Sequence, residues 1–311
     1  MRPHSTVLAG VLCISVAFGV SSCADSKDNS AVVLDNCGRN VDVPNAPERV
    51  VTLGPESITT LENLDVLDRV VATAGTYPRE YFDAQTQKKL DSIDTIPATP
   101  DDIHSVNADM VFGQSQQVTY ESMEDKGVKV IDEPAYCGTL PGPASFQDVW
   151  NHVGMYGLVF GKEDEARAYN DELTAKLNEV SVPPSENPMS AAVVWLGNNG
   201  KTLYAYGNMS MANPVVGAAG LRNVFDDVND RVFQISPSEL AQRNPDVIVS
   251  LFTDGTADAA LRTTRSFLGG SGIAAAQNNR IMPLRQLYAE PPNPLAVQGV
   301  EKIAAYVRNL S

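Results

Sequence analysis

Aromatic, arginine and glutamine side chains are concentrated in the segments that follow the predicted strands, where open α/β sheets bind their ligands. Facing aromatic rings can enclose a large flat ligand, and arginine can pair with carboxylate or catecholate oxygens. Taken singly, each tyrosine has ordinary packing as its alternative role. Taken together, these residues indicate a binding cleft, and the candidates are Tyr77, Arg79, Gln114, Tyr120, Tyr136, Trp195, Tyr204, Tyr206, Arg285 and Tyr288.

The sequence lacks the usual signatures of covalent or metal-dependent catalysis. It contains no G-x-S-x-G and no H-E-x-x-H motif, and Trp195 stands where a phosphate-binding loop ending in G-K-T needs its first glycine. His104 and His152 are the only histidines beyond the N-terminal segment, which limits imidazole catalysis and metal ligation. We therefore expect no catalytic residue, no metal site and no cofactor, and we interpret both histidines as surface or packing residues.

The N-terminal segment has the pattern of an export signal. Arg2 and His4 precede the apolar run VLAGVLCISVAFGV, which has the length of a signal-peptide core and is short for a membrane span. The residues VSSC that end at Cys23 resemble a bacterial lipobox, which implies a lipid on that cysteine. Residues 1–22 are then the signal peptide and residues 23–35 a flexible tether. The expected location is the outer face of the cytoplasmic membrane of a Gram-positive cell; the alternatives are a periplasmic protein and a secreted one in which Cys23 is an ordinary thiol.

Cysteine count and net charge restrict the partners further. With Cys13 in the signal and Cys23 in the anchor, Cys37 and Cys137 remain, and in an exported chain such a pair favours a disulfide, with two free buried thiols as the alternative. The formal charge of -15 argues against a nucleic-acid partner, because such binding needs clustered Lys and Arg. No second apolar run is long enough to cross a membrane, so we expect a monomer attached to the membrane through its lipid alone.

Short apolar runs alternate with helical periodicity on both sides of one long helical segment. Runs such as RVVTLG, ADMVFG and DVIVSLF lack polar alternation, which is typical of strands buried on both faces of a parallel sheet. Residues 101–113 and 237–250 share one layout, in which a short helix runs through Asn and Asp into a buried strand. The sequence therefore predicts an α/β fold with two lobes, residues 36–144 and 182–311, joined by one long connecting helix over residues 145–181. Gly161 is expected to mark a break or kink in that helix.

The order of these elements resembles the class III solute-binding proteins of iron-siderophore, haem and cobalamin ABC importers, and most closely their ferric-siderophore branch. The resemblance extends from about Cys37 to the end of the sequence and rests on NCGRNVDVPNAPERVVTLGPESITTLENLDVLDRVVA, NADMVFG, SFQDVWNHVGMYGLVFGKEDEA, AAGLRNVFDD and NPDVIVS. It implies two Rossmann-like lobes bridged by a rigid helix, which hold the ligand between them with little hinge closure. It also implies a ferric siderophore as ligand and an ABC permease as partner.

In this family, one acidic residue on each lobe docks onto arginines of the permease. By position, Asp101 matches the first docking residue, although the family usually has Glu there. Glu239 in SPSEL comes one residue later than in the family's S-x-E, and on a helix such a shift turns a side chain by about 100 degrees. Asp102 and Glu56 are the substitutes, and plain solvated carboxylates are the alternative.

Three other functions stay open on the sequence. A haem or cobalamin receptor would have the same fold, and Tyr206 or Tyr288 would then ligate haem iron. A surface enzyme such as a hydrolase is disfavoured by the scarcity of histidine. A cell-envelope adhesion or scaffold module with a degenerate cleft would fit the anchor and the fold equally well.

Overall fold

The computed structural model describes residues 32–75 and 77–310. The predicted signal peptide and the lipidation site Cys23 lie outside these residues. Two α/β lobes, here called the N-lobe and the C-lobe, each surround one central sheet. This confirms the predicted two-lobe α/β fold with mostly parallel strands.

The N-lobe is built from short strands and short helices. The strands are β1 (Val32–Asn36), β2 (Arg39–Val43), β3 (Val50–Thr52), β4 (Val70–Ala74), β5 (Asp94–Ile96), β6 (Met110–Phe112) and β7 (Lys129–Ile131). The helices are α1 (Ile58–Asn63), α2 (Ala84–Leu90), α3 (Pro100–Ser105) and α4 (Tyr120–Glu124). The central sheet has the order β5-β4-β3-β6-β7, and all its strands are parallel. The carboxyl ends of its strands therefore meet at one edge.

The boundary predicted for the tether is wrong, because residues 32–35 belong to β1. This strand pairs with β2 in an antiparallel hairpin, whose turn consists of Cys37 and Gly38 at φ values of 57° and 74°. Positive φ at both central residues is the geometry that suits a tight hairpin turn. The alternation in VVLDN, in which every second side chain turns inward, is the signal for this strand.

The predicted disulfide between Cys37 and Cys137 is present and connects the hairpin turn to the segment after β7. Asn36 makes a second connection to this segment: its Nδ2 donates to the carbonyl O of Asp132 over 2.9 Å, and its Oδ1 accepts from the Asp132 amide over 2.8 Å. The hairpin is therefore attached both covalently and through a buried amide side chain.

The connecting segment contains two helices, α5 (Phe146–Phe160) and α6 (Glu163–Val180), and the break expected at Gly161 within the predicted long helix separates them. Gly161 caps α5 in the left-handed conformation at φ 63° and ψ 38°, which ends the first helix. The two helices then pack closely, and a Cβ atom on Gly157 would overlap Ala166. A capping box starts α5, in which the Ser145 amide donates to Oδ2 of Asp148 over 2.7 Å.

The C-lobe contains a six-stranded mixed sheet. Its strands are β8 (Ser190–Gly197), β9 (Thr202–Tyr206), β10 (Arg222–Asn223), β11 (Val232–Ile235), β12 (Val247–Phe252) and β13 (Ile281–Arg285). Its helices are α7 (Ala212–Ala218), α8 (Pro237–Arg243), α9 (Ala257–Leu268), α10 (Ala274–Gln277) and α11 (Leu295–Arg308). The sheet order is β11-β9-β8-β12-β13, with β10 paired to β8, and only the pairings of β9 are antiparallel.

The two lobes repeat one local device, as their sequences predict. In each, a helix ends near an asparagine in the left-handed conformation, Asn107 at φ 51° and Asn244 at φ 42°, and a buried strand follows. An aspartate lies between the asparagine and the buried strand in each lobe, and it hydrogen-bonds to the start of the neighbouring strand or to the residues just before it. Asp109 accepts from the Glu48 amide and Asp246 from the Ser190 amide, both over 2.8 Å.

One apolar cluster extends through both lobes and the connecting helices. It includes Phe112 of the N-lobe, Tyr156 of α5, Leu173 of α6, and Val193 and Val300 of the C-lobe. The lobes are thus joined by a shared core as well as by the chain. Among the residues that the structure describes, no helix is long and apolar enough to cross a membrane.

Candidate ligand-binding crevice

The carboxyl edge of the N-lobe sheet carries acidic and aromatic side chains. Glu56 follows β3, Tyr77 follows β4, Gln114 follows β6, and Asp132 and Glu133 follow β7. Ligands of open α/β sheets bind outside this edge. The strand order places β3 and β6 at its centre and β4 and β7 towards its two sides.

On the β4 side, the C-lobe contacts the N-lobe through Arg285 and Tyr288. Nε of Arg285 donates to Oε1 of Glu80, and the Tyr288 hydroxyl donates to the carbonyl O of Glu80 over 2.8 Å. The ring of Tyr288 also meets Tyr81 edge to face, with 5.3 Å between the ring centroids. Two predicted ligand-binding residues therefore fasten the lobes to each other.

On the β7 side, Arg231 of the C-lobe lies over Tyr136 of the N-lobe. The guanidinium carbon is 5.3 Å from the ring centroid, a distance typical of cation–π contact. Nearby, the Ala144 amide donates to the carbonyl O of Asn208 over 2.9 Å. The two inter-lobe contacts bracket the carboxyl ends of β3 and β6, and we call the space between them the crevice.

Arg231 is held by a buried carboxylate of the C-lobe. Its Nη1 donates to Oε1 of Glu290 over 2.7 Å; the Arg231 side chain is 28% exposed and that of Glu290 is 0% exposed. The other oxygen of Glu290 accepts from Oγ of Ser210 over 2.6 Å and from the Met211 amide over 3.0 Å. Burial raises the pKa of Glu290, and pairing with Arg231 opposes that shift. Both oxygens of Glu290 are thus satisfied within the C-lobe.

A buried group of carboxyl and imidazole side chains supports the N-lobe edge. Nδ1 of His152 donates to Oε2 of Glu133 over 3.0 Å, and Nε2 lies 3.0 Å from Oγ1 of Thr60. The carboxyl group of Glu56 folds back over Gly54, where a Cβ atom would overlap it. Burial, and next the charge of Glu133, raises the pKa of Glu56 to about 7. The edge therefore carries one carboxyl group that changes charge near neutral pH.

Tyr136 is the predicted residue that lies most openly in the crevice. Its side chain is 42% exposed and its ring faces Arg231. Burial of its hydroxyl end raises the pKa of Tyr136, and the carboxylates of Glu56 and Glu290 raise it further. Carboxylates of both lobes therefore influence the pKa of Tyr136.

Three other predicted residues are close to the crevice, but two have side-chain partners and the third is buried. The Tyr77 hydroxyl lies 2.8 Å from Oγ1 of Thr52, and Nε2 of Gln114 donates to Oδ2 of Asp132 over 3.0 Å. Tyr206 is 2% exposed and precedes the loop that leads to Ser210.

The remaining predicted residues lie elsewhere. Arg79 is exposed and pairs with Asp91 near α2. Tyr120 donates to Oδ1 of Asn36 over 2.6 Å and so supports the β1–β2 hairpin. Trp195 and Tyr204 contact each other across β8 and β9, with centroids 5.3 Å apart.

Two cavities lie outside the crevice. One, of about 810 Å³, is formed by the segment after β7 and by α5 and α6, with apolar walls that include Leu34, Trp150 and Leu158. The other, of about 580 Å³, lies at the carboxyl ends of β8 and β12 and includes Trp195. The first cavity is here called the lateral cavity. It takes only Pro292 from the C-lobe, so it is not the space that both lobes enclose.

Three residues that contribute to the crevice were not among the candidates predicted from the sequence, namely Arg231, Glu290 and Glu133. A glutamate within the apolar and proline-rich run LYAEPPNPLA was the available signal for Glu290. His152 is a buried packing residue, one of the two roles expected for it. Across residues 32–75 and 77–310, no group of three or more His, Cys, Asp or Glu side chains is arranged to hold a metal ion.

The expected docking residues lie at helix starts. Asp101 near the start of α3 is 94% exposed and accepts from Nζ of Lys126 over 2.8 Å. Glu239 is exposed, and its Oε2 accepts from the Ser236 amide over 2.6 Å, which completes a capping box on α8. Glu56 is buried, which removes it as a docking substitute.

The chain matches a family model described as periplasmic binding protein over residues 50–287. No curated protein matches it. It is similar to the structure of an ABC-type Fe3+-hydroxamate transport system from Saccharomonospora viridis DSM 43017, with 33% identity, a TM-score of 0.81, and coverage of 89% of this chain and 98% of the other.

Two further solved structures share the fold at lower identity. A periplasmic binding protein from Veillonella parvula dsm 2008 has 13% identity, a TM-score of 0.74, and coverage of 90% of this chain and 98% of the other. The periplasmic heme-binding protein RhuT from Roseiflexus sp. RS-1 has 17% identity, a TM-score of 0.66, and coverage of 84% and 98%.

Proposed function

The chain belongs to the periplasmic binding protein family, whose members are substrate-binding receptors and not enzymes, and we propose that its solute is a ferric siderophore held in the crevice. The observation that carries the proposal is the contact between Tyr136 of the N-lobe, a residue that is 42% exposed, and Arg231 of the C-lobe, which brings an aromatic ring and a guanidinium from the two lobes together. An aromatic face and a guanidinium are groups that can contact the rim and the oxygens of a bulky chelate. The relative from Saccharomonospora viridis, described as an Fe3+-hydroxamate transport system, supports an iron chelate.

The tyrosines named for haem ligation are engaged or buried. Tyr288 donates its hydroxyl proton to the carbonyl O of Glu80, and Tyr206 is 2% exposed. These contacts favour a siderophore over haem, while Tyr136 is the tyrosine through which haem would bind.

The direct test is titration of the purified protein with ferric hydroxamate and catecholate complexes, haem and cobalamin, followed by tryptophan fluorescence and melting temperature. We expect a ferric siderophore to change both. A Soret band that appears on haem titration and is lost in Tyr136→Ala would favour the haem function. If no ligand changes either signal, the receptor proposal is wrong and a scaffold function gains support.

Two single variants locate the site. Arg231→Ala alters the crevice, and Leu158→Lys alters the rim of the lateral cavity at a residue that is 43% exposed. We expect Arg231→Ala to weaken binding at least tenfold and Leu158→Lys to leave it unchanged. The reverse result would place the ligand in the lateral cavity.

We also propose that Asp101 and Glu239 dock onto an ABC permease and that Cys23 carries the lipid anchor. Asp101 is the freer of the two carboxylates, because its ion pair with Lys126 is exposed and worth little. The double variant Asp101→Arg, Glu239→Arg should abolish uptake without changing ligand affinity, and unaltered uptake would refute docking. Cys23→Ser should release the protein from membranes, and an unmodified Cys23 thiol in native membranes would refute the anchor.

A further inference from the structure

We propose, resting on the function above, that the crevice selects iron chelates by charge: it accepts neutral or cationic ferric complexes and rejects polyanionic ones. The juxtaposition that carries this inference is one paired guanidinium, Arg231 on Glu290, facing an N-lobe edge whose charged groups are carboxyls.

Arg231 is not a free cation for an anionic ligand. Its partner Glu290 is completely buried and already accepts from Ser210 and the Met211 amide. If Arg231 turned to an anionic chelate, Glu290 would lose the one charge partner that it has among the described residues, and unpaired buried charges are strongly unfavourable. The pair therefore presents hydrogen-bond donors and an apolar guanidinium face with little net positive charge.

The other arginines predicted to bind ligand are already occupied. Arg285 donates to Glu80 and also to the carbonyl oxygens of Thr253 and Gly255. Arg79 is paired with Asp91 on the surface. Neither is available to balance the charge of a polyanion in the crevice.

The N-lobe edge adds negative charge. Glu56 and Asp132 follow β3 and β7, and among the described residues no ion pair joins either carboxyl group to a cationic side chain; the nearby His152 imidazole only opposes the rise in the pKa of Glu56. Glu133 is the exception, because it accepts from His152. A ferric tris-catecholate carries three negative charges and would meet these carboxyls at low effective dielectric. A neutral ferric trihydroxamate, or one with a pendant ammonium group, would not.

The test uses one iron core with its charge varied. A linear ferric trihydroxamate with a terminal ammonium is compared with its N-acetylated form, which is neutral, and its N-succinylated form, which is anionic, with a ferric tris-catecholate as the polyanion. Dissociation constants from tryptophan fluorescence are measured at low and high salt. We expect the ammonium and acetylated forms to bind at least tenfold more tightly than the succinylated form and at least a hundredfold more tightly than the tris-catecholate. High salt should reduce the differences in dissociation constant between the chelates.

Variants then test the residues assigned to this selection. At about pH 8, where the Glu56 carboxyl is ionised, Glu56→Gln should improve binding of the succinylated form by about tenfold and leave the acetylated form unchanged, because only one negative charge is removed. Glu290→Gln removes the charge partner of Arg231, and it should also improve binding of the succinylated form. Glu186→Gln, an exposed carboxyl in the segment between α6 and β8, is the matched control and should change neither. Each variant is compared at an equal folded fraction, which melting curves establish.

Three outcomes separate this inference from the function on which it rests. If no chelate binds, the proposed function itself fails. If the tris-catecholate binds as tightly as the neutral chelate, charge selection is wrong while the receptor function stands. If selection exists but Glu56→Gln and Glu290→Gln leave it unchanged, the assigned residues are wrong.

Discussion

Replacement of Glu56 by glutamine should stabilise the protein at alkaline pH and have less effect at acid pH. The folded protein raises the pKa of this carboxyl group from 4.5 to about 7, chiefly through burial. Between these two values, the folded state holds a proton that the unfolded state has lost, so stability falls as the pH rises through this window. Above about pH 7 the folded state carries the full cost of a buried charge, and the shift corresponds to about 3 kcal/mol.

The glutamine side chain is nearly isosteric and carries no charge, so it removes this cost at every pH. The unfolding free energy of Glu56→Gln minus that of the wild type should increase by about 2 kcal/mol from about pH 5 to about pH 8. Urea denaturation at the two pH values measures it. Glu133, Asp132 and His152 also influence Glu56, and the comparison of variant with wild type at each pH cancels their own titration to first order.

Glu239→Gln is the matched control. Hydrogen bonds from the Ser236 amide and hydroxyl lower the pKa of Glu239, so this carboxyl is ionised throughout the same range. Glu239→Gln should therefore change the unfolding free energy by the same amount at both pH values. If Glu56→Gln shows no more pH dependence than Glu239→Gln, the buried position assigned to Glu56 is wrong.

Two further predictions concern the scaffold. Gly299→Ala should lower the unfolding free energy by about 3 kcal/mol, because its Cβ would overlap the backbone carbonyl of Tyr288, whereas Gly217→Ala, with open space around the new methyl group, should be neutral or stabilising. Denaturant unfolding compares the two, and equal costs would contradict the packing described for α11. The double variant Cys37→Ser, Cys137→Ser should lose about 4 to 5 kcal/mol of unfolding free energy, since the disulfide closes a separation of 100 residues. Denaturation of the oxidised wild type and of the variant measures this loss, and an unchanged midpoint would show that the disulfide adds no stability.

The sequence predicted the fold correctly where the local pattern of apolar residues matches the burial of the element in the structure. Continuous apolar runs such as ADMVFG and DVIVSLF form the central strands β6 and β12, because strands buried on both faces need no polar alternation. The connecting segment was predicted less well. Apolar residues recur at helical spacing on both sides of Gly161, so periodicity alone could not show that the left-handed glycine ends one helix and that α6 begins anew.

The site was less predictable, because aromatic type and loop position do not determine partners. Tyr77, Tyr120 and Tyr288 follow strands as expected, yet each has its hydroxyl engaged by a side chain or a backbone carbonyl. Arg231 and Glu290 come from segments far apart in the chain, and only the tertiary fold pairs them. No local pattern reports such a pairing, so the sequence could propose a crevice but not its charge.

The rigidity of the crevice links the fold to the selectivity proposed for it. The apolar cluster passes through both lobes, and Glu80 accepts from Arg285 and Tyr288 across the lobe boundary. To open widely, the lobes would have to separate buried apolar surface and break these contacts, which distinguishes them from domains joined only by a flexible linker. We therefore expect the lobes to close little around a ligand, so that the shape and charge already present in the crevice select it. On the selectivity that we propose, the buried partner of Arg231 then decides which class of chelate is admitted.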